Sequence, residues 1–278
     1  MRAEDALRQG DLDESLRLLQ EQIRREPANA RYRIFLFQLL AVMGRWERAL
    51  NQLEVAGELD AGALAMVQTY REALRCEVLR ADIFAGKRSP LIFGQPEEWL
   101  ALLIEAQRLL AQGEGERSAS LRGLALEAAP PTAGRIDDST FTWIMDGDSR
   151  LGPVLEAIVN GRYYWIPFQG IRGLTLEQPQ DLRDLVWMPA HFTWVNGGES
   201  AGLIPTRYPG SETSGDPELR MSRRTEWLEA SDGSFLGQGQ RMLFTDNGEY
   251  PLMNLRSLVF ETMPVPAPST DPEGAARG

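Results

Sequence analysis

At 278 residues, with 43% apolar and 25% charged residues, the chain is long enough to bury a core without help from metals or disulfides. Its formal net charge of −11 argues against nucleic-acid binding, and it has no apolar run long enough to span a membrane. The single cysteine cannot form an internal disulfide, and the acidic start lacks the apolar stretch of a secretory signal, so we expect a cytoplasmic protein.

A repeated segment comes first along the chain. Gly10–Leu16 (GDLDESL) recurs as Gly44–Leu50 (GRWERAL), an offset of 34 residues. The period and pattern resemble the tetratricopeptide helical hairpin. Glycine fits the turn between two helices, where φ is positive, and the small Ser15 and Ala49 let the second helix lie close to the first. The sequence therefore predicts two helical hairpins.

More helices are predicted before residue 131. Pro27 marks the boundary between the two hairpins. Apolar residues at helical spacing then predict one helix over 63–81, another over 99–110, and a weaker one that ends at Ala128. None of the three repeats the glycine signature. We therefore interpret residues 1–130 as a tetratricopeptide-like α-α superhelix whose later part is degenerate.

After residue 131 the sequence changes to short segments rich in aromatic and β-branched residues. Strands are predicted at 141–145, 163–168 and 192–195, with a short helix between Pro153 and Asn160. Hairpin turns are predicted at 196–198 (NGG), 231–233 (SDG) and 246–248 (DNG). The predicted fold class is α+β, with a mainly antiparallel α+β domain over 131–263 and a disordered Pro-rich tail over 264–278.

Motifs of common catalytic sites are missing from the sequence. It contains no Walker loop, and its one Gly-x-Ser-x-Gly string (GESAG, 198–202) follows directly on the hairpin turn predicted at 196–198, whereas a nucleophile elbow lies between a strand and a helix. His191 is the single histidine, which excludes the usual triads, and we interpret it as a packed residue. Cys76 is interpreted as a small core residue, and Gly237–Arg241 (GQGQR) as a bulged strand or turn. We expect no enzyme, no metal and no cofactor.

The densest polar cluster surrounds Asp146, Asp148 and Arg150. Its two aspartates could hold a hard cation through their carboxylate oxygens. Alternatively, they cap the helix predicted to begin at Pro153, while Arg150 neutralises them; we favour this structural interpretation. Other residues that could meet these carboxylates are Arg207, Tyr208 and Arg241.

Five strings in the second half of the chain carry a resemblance to a known family. They are WIxDxDSRLGP at 143–153, GRYxWIPF at 161–168, PxDLRDLVW at 179–187, IPxRYPGS at 204–211 and GxGQR at 237–241. Together they resemble the ImpE family, also called SciE or TagJ. Gly147 stands where relatives often have alanine.

The resemblance implies an accessory protein of the type VI secretion system of Gram-negative bacteria, without catalytic residues. It implies binding to a helical segment of the small contractile-sheath subunit. It also implies that the protein acts together with the sheath-recycling AAA+ ATPase. Neither nucleic acid nor membrane is expected as a partner.

The helical hairpins independently predict a concave groove that could take an amphipathic helix. In the usual hairpin geometry the first helix of each pair lines it, which selects Asp5, Arg8, Arg31, Ile34, Gln38, Ala41 and Val42. An alternative interpretation assigns Ile34 and Val42 to the core. The adaptor hypothesis rests on this groove; the competing hypothesis is an enzyme or metal-binding module centred on Asp146, Asp148 and Arg150.

Overall fold

The structure is a computed structural model that describes residues 2–95 and 97–261. In this part of the chain the α-helices are α1 (Ala3–Arg8), α2 (Leu12–Arg25), α3 (Ala30–Val42), α4 (Trp46–Leu59), α5 (Leu64–Phe84), α6 (Glu98–Ala111), α7 (Gly115–Ala128) and α8 (Pro217–Arg220). All but α8 precede residue 131. The predicted helices at 63–81, at 99–110 and up to Ala128 correspond to α5, α6 and α7, so those predictions are confirmed.

The two predicted hairpins are α1–α2 and α3–α4. Gly10 and Gly44 sit at the two turns with φ of +83° and +67°, a region that favours glycine. Ser15 and Ala49 are completely buried where the paired helices meet, and the Ser15 hydroxyl donates to the Ala3 carbonyl at 2.9 Å. The two glycines and the two small residues therefore have the structural roles that the sequence predicts.

The described strands form three sheets. They are β1 (Leu91–Ile92), β2 (Gly134–Ile136), β3 (Ser139–Phe141), β4 (Ile144–Asp146), β5 (Val154–Val159), β6 (Arg162–Pro167), β7 (Ile171–Leu176), β8 (Trp187–Trp194), β9 (Glu199–Pro205), β10 (Thr225–Glu229), β11 (Phe235–Gly239), β12 (Met242–Thr245), β13 (Gly248–Pro251) and β14 (Ser257–Phe260). The largest sheet has the order β1-β6-β5-β9-β8-β7-β14-β2-β3, and β1 pairs with β6 in parallel while the other neighbours are antiparallel. The smaller sheets are β13-β12-β4 and β10-β11.

The predicted hairpin turns at 196–198, 231–233 and 246–248 join β8 to β9, β10 to β11 and β12 to β13. The short helix predicted at 153–160 is wrong, because residues 154–159 form strand β5, and all six of them are buried. Asn160 and Gly161 have φ of 50° and 72° and make the turn from β5 into β6. Two successive residues with positive φ are typical of a tight hairpin, so the Asn-Gly pair ends a strand here.

The helices and the largest sheet share one apolar core. Trp187 on β8 is fully buried, and its ring centre lies 5.7 Å from that of Tyr70 on α5 and 6.1 Å from that of Trp46 on α4. A second apolar cluster lies among the strands. The sheet is therefore packed on both faces, and one of them is covered by the helical hairpins.

The boundary predicted after residue 130 falls between α7 and β2. β1 nevertheless comes from the first half of the chain and pairs with β6, with Leu91 opposite Tyr164. The two halves are thus joined through a strand as well as through the core. The tail predicted at 264–278 lies outside the described residues.

Candidate functional site

The polar cluster singled out in the sequence belongs to a larger network of buried ion pairs between α5 and the sheet. At its centre is Glu156 on β5, which is fully buried. Arg80 of α5 donates to the Glu156 carboxylate from Nε at 2.6 Å and from Nη2 at 3.0 Å. Tyr163 and Arg241 donate to the same carboxylate, and Arg241 also donates to Asp146. The network connects helix α5 to strands β4 and β5.

Asp146 and Asp148 organise the loop between β4 and β5. The Asp148 backbone N–H donates to Asp146 Oδ1 at 2.8 Å. Asp148 itself accepts from Arg150 Nε at 2.8 Å and from the Gly237 backbone N–H at 2.9 Å. Because β5 follows directly after Pro153, the aspartates hold a strand-to-strand loop, and the helix-capping interpretation is wrong.

The carboxylates of this cluster are already engaged by positively charged or N–H donors. Arg241 binds Asp146, and Arg150 binds Asp148 through two nitrogens. Within residues 2–95 and 97–261, no group of three or more His, Cys, Asp or Glu residues is arranged to hold a metal ion. The arrangement neutralises buried charges, and its carboxylates hold the backbone of the loop between β4 and β5 in place.

The two carboxylates that share Arg241 differ in their electrostatics. Burial alone would raise the pKa of Glu156, but the charges of Arg80 and Arg241 outweigh it and lower that pKa to about 2. For Asp146, burial is the larger effect and raises the pKa to about 6, although Arg241 acts against it. Glu156 therefore carries a fixed charge, whereas Asp146 takes up a proton on mild acidification.

Arg207 joins the sheet to the second helical hairpin. Its guanidinium is buried and donates from Nη1 to the Val42 carbonyl at 2.7 Å and from Nη2 to the Ala41 carbonyl at 3.0 Å. These carbonyls belong to the last turn of α3, where backbone acceptors lack helical partners and the helix dipole is negative. Burial lowers the pKa of Arg207 to about 10, so the side chain is still protonated at neutral pH.

Tyr208 packs the other end of the network against β11. Its hydroxyl donates to the Met242 carbonyl at 3.2 Å, and the Arg241 guanidinium lies 5.3 Å from the centre of its ring. A Cβ at Gly237 would lie 2.2 Å from that ring, so glycine is required by this close approach. Gly237 lies within β11, which agrees with the interpretation of 237–241 as strand and turn.

Helix α3, which was predicted to line the groove, packs against the chain's own second half. A 3-10 turn at Leu182–Leu185 packs on α3, and Arg207 holds the end of that helix. Gln38 is only 6% exposed, and Ala41 and Val42 are completely buried. The prediction that these three residues face a guest is wrong, because all three are buried inside the molecule.

The other four residues predicted for the groove remain accessible to different degrees. Asp5 and Arg8 form an ion pair with each other at the surface of α1. Arg31 is exposed at the start of α3, and Ile34 is half-buried. For these four, a role in binding stays a prediction.

Sequence reasoning missed Glu77, Arg80, Glu156 and Tyr163. Glu77 accepts from Trp187 Nε1 at 3.0 Å and from Arg80 Nη1 at 3.4 Å. One signal was available: Glu156 is the single charged residue in the otherwise apolar run VLEAIV. A charge in such a run indicates a buried partner, because an unpaired carboxylate is very costly inside a protein.

The isolated candidates His191 and Cys76 lie apart from the network. His191 was interpreted as packed, which is wrong: its side chain is 63% exposed, with Nε2 3.5 Å from Glu177 Oε1. It alternates along β8 with the buried Ala190 and Phe192, so the strand period turns it outward. Cys76 is buried, as predicted, and burial raises its pKa to about 12.

An apolar cleft of about 670 Å³ lies between α7 and the two small sheets. Its lining includes Leu126, Trp143, Met145, Trp227, Phe235 and Phe244. Arg122 of α7 and Asp232 of the β10–β11 turn also line it and form an ion pair, and the Ser118 hydroxyl donates to Asp232 at 3.0 Å. Burial opposes ionisation of Asp232, but hydrogen bonds from Ser234 and Arg122 lower its pKa to about 2. This ion pair fixes the position of the β10–β11 hairpin against α7.

Comparisons with known proteins agree with the resemblance. A family model described as ImpE protein matches residues 138–259, and a tetratricopeptide repeat model matches residues 6–73. The chain is 54% identical over 261 residues to the type VI secretion system accessory component TagJ of Pseudomonas aeruginosa strain PAO1, covering 94% of this chain and 92% of the relative. It is similar to the crystal structure of a Vibrio parahaemolyticus protein with a TM-score of 0.85 and 25% identity, covering 94% of this chain and 98% of the other. The predicted α+β fold with a tetratricopeptide-like front half is thereby confirmed.

In the part of the chain that the structure describes, no helix has the length and apolar character needed to cross a membrane.

Proposed function

The chain belongs to the ImpE family, which includes the type VI secretion accessory component TagJ, and from this premise we propose that it is a non-catalytic cytoplasmic adaptor of type VI secretion. The observation that carries the proposal is the 54% identity to TagJ over 94% of the chain. An identity of this size over nearly the full length makes an accessory role in secretion the natural function to test.

The polar cluster supports a binding role over a chemical one. Asp146, Asp148 and Glu156 each accept from an arginine, and Arg207 donates to backbone carbonyls. The charges of these groups are therefore paired with other groups inside the molecule. Their effect is to join the helical hairpins to the sheet, and precise partner binding needs a surface that is held in place by such contacts.

We propose that the partner is a helical segment of the small sheath subunit, and that the complex works beside the sheath-recycling ATPase. Helical-repeat proteins and apolar clefts commonly bind amphipathic helices through apolar side chains at helical spacing. A short helix would bury on the order of 600–800 Å² on each partner, which fits reversible micromolar binding. Reversibility is appropriate for an adaptor that has to release its partner.

The test is a titration of the full chain with the small sheath subunit of the same genome. Binding is measured by calorimetry or fluorescence anisotropy. A subunit lacking only its short helix and a subunit with that helix scrambled serve as matched controls. We expect micromolar binding of the intact subunit and at least a tenfold loss with either control. Equal binding of all three subunits would contradict the helix as the recognised element, and no binding of any would contradict the adaptor role.

The ATPase is tested separately. Adding it to the preformed complex should give either a ternary complex or competition for the sheath subunit on size-exclusion chromatography. If the ATPase changes neither the amount nor the composition of the complex, the proposed work beside the ATPase is refuted, while sheath binding stands.

A further inference from the structure

We propose that the apolar cleft beside α7 binds a free small molecule that carries a quaternary ammonium group, such as choline. Its volume of about 670 Å³ lies in the ordinary range of small-molecule sites. Four aromatic side chains, called here the cleft rings, line it: Trp143, Trp227, Phe235 and Phe244. This site goes beyond the proposed function and does not depend on it.

The cleft rings come from separate segments that the fold brings together. Trp143 directly precedes β4, while Trp227, Phe235 and Phe244 lie on β10, β11 and β12. The rings of Trp227 and Phe244 meet at 64° with their centres 5.5 Å apart, so the two walls stand at a steep angle. A quaternary ammonium is attracted to the face of an aromatic ring, where the ring quadrupole is negative, and tryptophan attracts it most strongly. Four such rings in one cleft therefore suit a cation.

No arginine of the described chain lies over a cleft ring. Within residues 2–95 and 97–261, arginines lie over the rings of Trp46, Tyr70, Phe84 and Tyr208. Arg122 lines the cleft but donates to Asp232 and Ser118 instead. A cation for the cleft rings therefore has to come from outside the molecule.

The charges around the cleft favour a cation over an anion. In the described part of the chain three acidic residues line it, Asp146, Asp232 and Glu249, against one basic residue, Arg122. Arg122 is balanced by Asp232, and Asp146 pairs with Arg241 behind the lining. Glu249 is exposed and leaves a negative charge at the surface of the cleft. The lining is therefore complementary to a positive ligand.

The existing ion pairs select a cation without N–H groups. A primary ammonium has three donors, and each needs an acceptor once the group leaves water. The carboxylates of Asp146 and Asp232 are already bound by arginines, and most of the remaining lining is apolar. A quaternary ammonium has no donors to satisfy, and its methyl groups can contact apolar walls.

A free solute is favoured over a lipid headgroup by the charge of the whole protein. The chain carries a net charge of −11. Such a chain is repelled by membrane surfaces that contain anionic lipids, which attract basic segments instead.

The experiment titrates the full chain with choline by calorimetry at fixed ionic strength. The comparison ligand is the neutral alcohol in which carbon replaces the choline nitrogen; the two compounds have the same shape, so their difference isolates the charge. Phe235→Leu and Trp227→Leu each remove one aromatic face and leave an apolar side chain. Glu249→Gln removes the exposed charge. Glu229→Gln is its matched control, because Glu229 is exposed on β10 and lies outside the cleft lining.

We expect saturable, roughly millimolar binding of choline and at least about fivefold weaker binding of the neutral alcohol. Each aromatic variant should weaken choline binding by about threefold to tenfold and reduce the preference over the alcohol. Glu249→Gln should weaken it by about twofold, with the control equal to wild type. Tetramethylammonium should bind more tightly than methylammonium, because only the latter has donors to satisfy.

Three results would overturn the proposal: no saturable choline binding, equal binding of choline and the neutral alcohol, or full choline affinity in both aromatic variants. Phe235 is 52% exposed, so Phe235→Leu should stay folded, and it remains decisive if circular dichroism shows that Trp227→Leu does not fold. Binding to phosphatidylcholine vesicles without binding of free choline would assign the cleft to a lipid headgroup and overturn the free solute. The sheath-subunit titration is a separate measurement, so the adaptor role can stand or fall independently.

Discussion

Replacing Glu156 by glutamine removes one negative charge from the centre of the buried network and leaves its shape almost unchanged. The side chain is completely buried on β5. It accepts from Arg80, Arg241 and Tyr163, so the substitution leaves two buried guanidinium groups without their shared counter-charge.

Two independent routes give the size of the effect. The pKa of Glu156 is about 2 in the folded protein, against about 4.3 in an unfolded chain, which corresponds to about 3 kcal/mol in favour of the ionised form. Removing one partner of a buried ion pair typically costs about 3–5 kcal/mol. We therefore expect Glu156→Gln to lower the free energy of unfolding by about 3–4 kcal/mol and the midpoint temperature by roughly 6–12 °C.

The assay is urea and thermal unfolding followed by circular dichroism, with Glu199→Gln as the matched control. Glu199 lies on β9 of the same sheet and is exposed, so its substitution should change stability by less than about 0.5 kcal/mol. Because folding lowers the pKa of Glu156, its contribution is present above the unfolded value and is lost as the pH falls towards 2. A loss below about 1 kcal/mol at pH 7, or a difference from wild type that does not shrink in acid, would refute the reasoning.

Further predictions concern the glycine turn, the helix end and the hairpin clamp. Gly44→Ala should cost about 1–3 kcal/mol in urea unfolding, because φ is +67° and the new Cβ would lie 2.5 Å from Glu212 Cγ; full stability would contradict this. Arg207→Met leaves buried carbonyls of α3 without donors and should cost about 3 kcal/mol, with faster amide exchange in α3 by mass spectrometry. Asp232→Asn should be less stable than wild type at neutral pH because it weakens the pair with Arg122. That difference should shrink as the pH falls from the ordinary aspartate value towards the folded pKa of about 2, and a pH-independent difference would argue against an ionic clamp.

Much of the local structure follows from short-range signals. The glycines at 10 and 44 mark turns that need a positive φ, and the turn triplets at 196–198, 231–233 and 246–248 mark hairpins. Such signals are reliable because the conformation they require is set by the residue itself and its immediate neighbours. Where the signal is ambiguous, prediction fails: the run 154–159 is short and apolar except for Glu156, and such a run does not distinguish helix from buried strand by periodicity.

The buried network could not be derived in the same way. Glu156 meets Arg80, which is 76 residues away, and Arg207 meets Val42, which is 165 residues away. A charged side chain in a sequence is ordinarily expected at the surface. Only the pairing of distant segments shows that these particular charges are buried together.

The sequence by itself therefore determined the helical hairpins, the antiparallel hairpins and the likeness to the ImpE family, because each depends on residues that are near one another or on strings that can be compared directly. The tertiary structure alone decided that the second half of the chain covers α3 and that an apolar cleft stays open beside α7. The physical reason is that burial depends on which surfaces meet. No local pattern in the sequence shows that Arg207 will bind the Ala41 and Val42 carbonyls or that Gln38 will be buried.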